Sequence, residues 1–354
     1  MNPAPSPSPT LRTIAARAGV SVATVSLALR GAPGIPDRTR DRVRRHAARL
    51  GYQLDPQVTK LMAYLRQRRR VRTTSELGLI HFHPEAKPWR HNPFLHRLHT
   101  AAAQRAAQFG YRLADFWLAA PDMTPARMRD ILLARGIDGL ILMGAPQWSA
   151  RLDFDLDRFA CAALGYSLRV PLHRACQHQY QEMFTTLAQL ERRGYRRPGL
   201  MLTEDADQRT LHHWSAAFLW WQQSRPAAGR LPILRAARLE PPVFRRWFER
   251  HRPDVVIAQS PSAATIGSWL ADAGAPVPEA CGLADLDVDP GEACSGIRQN
   301  YEQVAAAAVD LVVAQILRNE RGIPTHPKVV LIEGQWVDGG TTRPEPSPGA
   351  ARRP

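Results

Sequence analysis

The feature that most constrains this chain is the run Ser21-Val22-Ala23-Thr24-Val25-Ser26-Leu27-Ala28-Leu29-Arg30-Gly31, a short helix with its start and stop signals both written in sequence. Ser21 can cap its N-terminus, Arg30 falls in the last turn where it suits the helix dipole, and Gly31 offers a left-handed exit. Before it, Thr10 can cap a helix in which Leu11, Ile14, Ala15 and Ala18 recur at i, i+3, i+4 and i+7. Gly19-Val20 then leaves room only for two helices crossing steeply. A third helix is expected over Asp37 to Leu50, with Val43, Ala47 and Leu50 as its apolar stripe and Gly51 as its stop. On the middle helix Val25, Ala28 and Leu29 point into the shared core. That leaves Val22, Ala23, Ser26, Leu27 and Arg30 on the outer face.

Residues 1 to 75 hold fifteen Lys and Arg against three acids, Asp37, Asp41 and Asp55, so +12 of the chain's net charge of +15 sits in this segment. An excess so local points to a polyanion, with affinity drawn from phosphate contacts and counterion release. The spacing is that of a helix-turn-helix, and the outer face of the middle helix is the candidate reader of a major groove.

These residues carry a resemblance. Thr10-Leu11-Arg12-Thr13-Ile14-Ala15, Ala18-Gly19-Val20-Ser21, Ala23-Thr24-Val25-Ser26, Pro36 to Val43 and Leu50-Gly51-Tyr52 resemble, almost without gaps, the headpiece of the lactose-repressor family of bacterial transcription regulators. The resemblance implies a homodimer that reads a palindromic double-stranded DNA operator, and base-reading side chains at Val22, Ala23 and Leu27. It further implies DNA contacts from Thr10, Ser21, Thr24, Ser26, Arg30, Thr39 and Tyr52.

From Asp55 to Arg72, Val58, Leu61, Met62 and Leu65 line one side of an expected helix, while Lys60, Arg66, Arg68, Arg69, Arg70 and Arg72 crowd its end. By resemblance this is a hinge helix that enters the minor groove, with Leu61 as the wedge between base steps and Val58 and Lys60 beside it. Leu54-Asp55 departs from the family's usual Pro-Asn.

From Leu77 onward strands and helices alternate, as at Leu77 to His83, Phe94 to Phe109 and Gly136 to Met143, and the pattern returns at Arg197 to Leu202, Asp254 to Ala258 and Cys281 to Ala284. Such alternation calls for parallel sheets, two rather than one. The expected fold is an all-α helix-turn-helix headpiece plus an α/β two-lobed domain similar to periplasmic binding proteins. Expected boundaries are a leader over 1–9, the headpiece over 10–54, the hinge and basic linker over 55–75, the two-lobed domain over 76–343 and a tail over 344–354. The lobes are expected at roughly 76–173 plus 297–325, and 174–296 plus the C-terminal part.

In the resembling family the two-lobed domain senses a small molecule, which would fall here to Asn92, Phe94, Asp138, Trp214, Gln259 and Asp285. Positions where relatives carry an arginine and an Asn-Asp pair hold Trp214 and Gln259-Ser260. Asp285 alone remains of the usual charged set, so the expectation is a cleft that has largely lost its polar anchors, suited to an aromatic or otherwise flatter, less polyhydroxylated ligand, or to none.

No GxSxG, Walker loop, GxGxxG or HExxH occurs, so a binding protein is expected rather than an enzyme, without cofactor. The histidines have no Asp, Glu or Cys companion at ligand spacing, and the four cysteines form no CxxC pair, so no metal is expected and the thiols should be reduced and buried. No apolar run approaches the ~20 residues of a membrane span, and the expected location is the cytoplasm. The competing class is a nucleoid-type architectural DNA binder without small-molecule control.

Overall fold

The computed structural model describes residues 10–29, 34–50, 52, 75–144 and 155–346. Three helices form the headpiece: α1 (Leu11–Ala18), α2 (Val22–Leu29) and α3 (Asp37–Arg49). Ile14, Ala15, Ala18, Val25, Ala28, Val43 and Ala47 make one small core, with Leu11, Leu29, Leu50 and Tyr52 packed around it. The apolar stripes expected from sequence are thus the ones that meet.

The remainder, in chain order, runs β1 (Ser75–His81), α4 (Pro93–Gln108), β2 (Tyr111–Trp117), α5 (Pro125–Ala134), β3 (Gly139–Leu142), β4 (Ala160–Leu164) and β5 (His173–Gln177). It continues through α6 (Gln179–Arg192), β6 (Pro198–Thr203), α7 (Glu204–Arg209), α8 (His213–Gln223), β7 (Leu234–Ala236), α9 (Pro241–His251) and β8 (Val255–Ala258). It ends with α10 (Ala263–Asp272), β9 (Gly282–Asp285), β10 (Ser295–Arg298), α11 (Tyr301–Arg318), β11 (Val329–Ile332) and β12 (Gln335–Val337). Two six-stranded sheets result, ordered β11-β5-β4-β3-β1-β2 and β12-β10-β9-β8-β6-β7. Every pairing is parallel except β10 with β12.

Parallel strands covered on both faces read as continuous apolar runs, and β3, β4, β8 and β9 are buried at every residue. The chain passes between the sheets three times, after β5, after β10 and after β11. The first passage falls at Gln177–Gln179, a few residues beyond the expected crossover, because His173-Arg-Ala-Cys-Gln177 is a fifth strand of the first sheet. Its mixed polarity hid it from pattern reading. Helix α11 returns to the first lobe and lays Val304, Ala305, Ala308, Val309, Val312 and Val313 on that sheet. Gly139 makes the approach possible, since a Cβ there would stand 2.5 Å from Val312 Cγ1.

Candidate DNA-reading face and interlobe cleft

In the headpiece the caps are in place. Thr10 Oγ1 accepts from the Thr13 amide at 3.3 Å and Ser21 Oγ from the Thr24 amide at 3.1 Å, which fixes where α1 and α2 begin. Each hydroxyl also meets a threonine hydroxyl, Thr13 Oγ1 at 3.0 Å and Thr24 Oγ1 at 2.8 Å. On α2, Val25 and Ala28 are fully buried, whereas Val22 and Leu27 are 41% and 40% exposed, so two large apolar side chains face outward from one helix. Thr24 and Thr39 are half-buried, and Tyr52 leans on the core with its amide donating to Ala47 O at 3.0 Å. Arg12, Arg17, Arg38, Arg42, Arg44, Arg45 and Arg49 are exposed around this face. Arg30, the hinge positions Val58, Lys60 and Leu61, and the side chains of Ala23 and Ser26 lie outside the described residues.

Between the lobes lies a cleft of about 380 Å³. Its lining comes from the C-terminal ends of strands in both sheets: Met143-Gly144 after β3, Gly165-Tyr166 after β4, Gln177 closing β5, Thr203 closing β6, Gln259-Ser260 after β8, Asp287 after β9 and Gln299 after β10. This is where open parallel sheets bind ligands. Phe94 of α4, Trp214 of α8 and Tyr301 of α11 supply aromatic walls. Phe94 and Tyr301 meet edge to face at 4.4 Å.

Of the sequence candidates, Phe94, Trp214 and Gln259 line the cleft and three others do not. Asn92 spends its side chain as the N-cap of α4, accepting from the Leu95 amide at 3.1 Å. Asp138 is exposed just before β3, at the end of the strand opposite the cleft. Asp285 is buried behind the lining, where its Oδ1 accepts from the Asp287 amide at 2.8 Å and holds that turn. Burial pushes the Asp285 carboxyl up to about 7.

Asp205 and Asp287 are the carboxyls of the lining, and Asp287 stands two residues beyond Asp285. The Tyr301 hydroxyl donates to Asp287 Oδ2 at 2.5 Å, and burial, against that bond, pushes this carboxyl up to about 6. Behind it, Glu182 of α6 is 1% exposed and accepts from Gln299 Nε2 at 3.0 Å. Desolvation holds Glu182 up at about 8, against the Gln299 bond. The cleft keeps more polar anchors than the sequence suggested: Asp287, Gln299, Gln177 and Gln179, with Thr203, Asp205 and Arg209 beside them. The available signal was positional: each of the first four follows, closes or flanks a buried strand.

Beyond the cleft, Asp207 ties α7 to α8 and β7. It receives Ser215 Oγ at 2.6 Å and His212 Nδ1 and Arg235 Nη2 at 2.8 Å each. All four cysteines are buried, free thiols. Among the described residues no group of three or more His, Cys, Asp and Glu could hold a metal ion, and no helix is long and apolar enough to cross a membrane.

Residues 10–55 match the family model of bacterial regulatory proteins, lacI family, and residues 187–342 that of a periplasmic binding protein-like domain. The chain thus joins a lacI-family DNA-binding region to a periplasmic binding protein-like domain. It is accordingly a DNA-binding transcription regulator, its helix-turn-helix headpiece joined to a two-sheet α/β domain. Among solved structures, the lac repressor dimer bound to operator and the anti-inducer ONPF superposes with a TM-score of 0.54 at 16% identity, covering 94% of this chain and 98% of that one. A CelR transcriptional regulator in complex with cellobiose gives 0.52 at 18% identity, covering 94% and 99%. A periplasmic binding protein/LacI regulator from Alkaliphilus metalliredigens QYMF, complexed with D-xylulofuranose, gives 0.53 at 14%, covering 76% and 99%. At these identities the likeness is one of fold. No curated protein sequence matches the chain.

Proposed function

We propose that this lacI-family regulator is a cytoplasmic repressor that binds a palindromic operator as a homodimer and changes its DNA affinity when a small molecule enters the interlobe cleft. Its role is binding rather than catalysis. The observation that carries the DNA half is the headpiece: capped helices of helix-turn-helix spacing, an outward α2 face and a surrounding field of exposed arginines. Val22, Ala23 and Leu27 read bases. Being apolar, they offer thymine methyls van der Waals contact and make no bidentate bond to guanine, so specificity leans on duplex shape as well.

Thr10, Ser21, Thr24, Ser26, Arg30, Thr39 and Tyr52 position the headpiece on phosphates. Around Val58 and Lys60, Leu61 wedges into the central minor groove. The effector half is supported by a cleft of ligand size at the C-terminal ends of both sheets. The lac repressor neighbour is titled as an operator-bound dimer, and two neighbours hold sugars.

Mapping bound sites across the genome tests this reading. A shared palindromic site upstream of a few genes is expected, together with a dimer in sedimentation. Leu61→Ala is expected to weaken that site far more than random duplex. Occupancy spread without a common sequence would replace the reading with an architectural role.

A further inference from the structure

Three oxygens of the cleft lining lack a hydrogen-bond donor, and the unmet donor beside them, Trp214 Nε1, is turned to Glu182. Asp287 Oδ1 is buried with no hydrogen-bond partner, while its Oδ2 is already engaged by Tyr301. Gln299, 3% exposed, donates both Nε2 hydrogens, one to Glu182 Oε2 at 3.0 Å and one to Leu286 O at 2.8 Å. Those two acceptors fix the amide's orientation, and the Oε1 left over has no donor. Gln179, 5% exposed, also leaves its Oε1 unmet. Unmet acceptors in a buried place are costly, and what they share is a demand for donors.

Arg97 acts on Asp287 at a distance, its Nε and Nη2 without a hydrogen bond, and among the described residues no arginine hydrogen-bonds these oxygens. Arg209 lines the cleft but is paired with Asp205 at 3.7 Å. Arg97 lies against the Tyr301 ring, its Cζ 5.0 Å from the centroid and its Nε 3.5 Å from Glu302, and touches Asp287 only through its field. Of the aromatic walls, Tyr301 and Tyr166 already carry Arg97 and Arg174 over their rings, which leaves Phe94 and Trp214 as the rings whose quadrupoles favour a further positive charge.

We propose that the cleft takes a small cationic amine, its ammonium nitrogen seated between Asp287 Oδ1 and Gln299 Oε1 and its apolar part against Phe94, Tyr166 and Trp214. The proposal rests on the effector-binding reading and narrows it to one ligand class. An ammonium supplies three donors and no acceptor. A sugar hydroxyl fits this floor less well, and a carboxylate or phosphate would meet Asp287 as a like charge.

The test is calorimetry and thermal melting of the full-length protein with 2-phenylethylamine, its neutral isostere 2-phenylethanol, phenylacetate and glucose, with DNA affinity measured separately. Saturable binding of the amine, about tenfold or more tighter than the alcohol, is expected. Asp287→Asn is expected to erase most of that difference while its unliganded melting shows the protein folded. Alcohol, acid or glucose binding as tightly as the amine overturns the cationic class, and loss of that binding in Trp214→Ala would still place the ligand in the cleft. No saturable amine binding also overturns the class. Amine binding without any change in DNA affinity leaves the site standing and overturns its role as an effector switch.

Discussion

The headpiece and the interlobe cleft handle charge in opposite ways. Around α2 the arginines are exposed and solvated, and they cost the fold little while waiting for phosphates. In the cleft the acids are buried, and for Asp287 burial outweighs the field of Arg97, so Glu182 and Asp287 sit at about 8 and about 6. The outward side chains differ as well: α2 presents Val22 and Leu27, whereas the cleft floor presents oxygens. A surface that meets a polyanion can be built from local sequence and long-range field. A pocket for one small molecule needs atoms placed by many distant segments.

The largest expected effect separates the two regions. Ile14→Asp puts a charge at a fully buried position of the small headpiece core. It should cost more than the about 2–5 kcal/mol of a plain truncation to Ala. DNA binding should be lost while ligand binding in the two-lobed domain survives, with gel shift and calorimetry reading the two sides. Gly139→Ala is the counterpart, since its Cβ would press on Val312, Ile316 and Leu77. A cost of about 1–3 kcal/mol is expected from such overpacking, seen as a lower melting temperature of the two-lobed domain.

Leu27→Arg sharpens the DNA side. It should change the preferred base in each half-site, with discrimination altered by about 1–3 kcal/mol. Selection from a randomised operator library reads this directly, and unchanged selection would remove Leu27 from the bases.

The smallest effect concerns pH. Glu182 titrates near 8 in the folded protein against an ordinary value of 4.5, so the folded state keeps a proton that the unfolded chain gives up across that window. Stability should therefore fall as pH rises from about 4.5 to 8, and Asp285 and Asp287 add to the lower part of the slope. Glu182→Gln should melt with a flatter pH dependence, read by scanning at pH 5 and pH 8. An unchanged slope would assign the coupling to Asp285 and Asp287 alone.

The same contrast explains what the sequence made legible. Helices α1 to α3 announce themselves through caps, stripes and turn glycines within forty-odd residues, and the structure closes the expected core from Ile14, Val25 and Val43. The alternation of strands and helices likewise foretold two parallel sheets. The cleft resisted because neighbouring positions play different roles: Asp285 braces a turn while Asp287 faces the ligand space, and Asn92 caps a helix while Phe94 forms a wall. Asp138 precedes a strand whose opposite end forms the site. Spacing alone does not say which end of a strand is open. Glu182, inside an amphipathic helix, carries no local sign that its partner would be Gln299 across the domain.

The central claim is that the headpiece reads a defined sequence as one half of a dimer. DNase footprinting on a mapped site tests it most directly. One protected palindrome is expected, its half-sites about one or two duplex turns apart, and it should be lost in Ile14→Asp. Protection spread evenly along the fragment, or a single unpaired half-site bound as tightly as the whole, would contradict it.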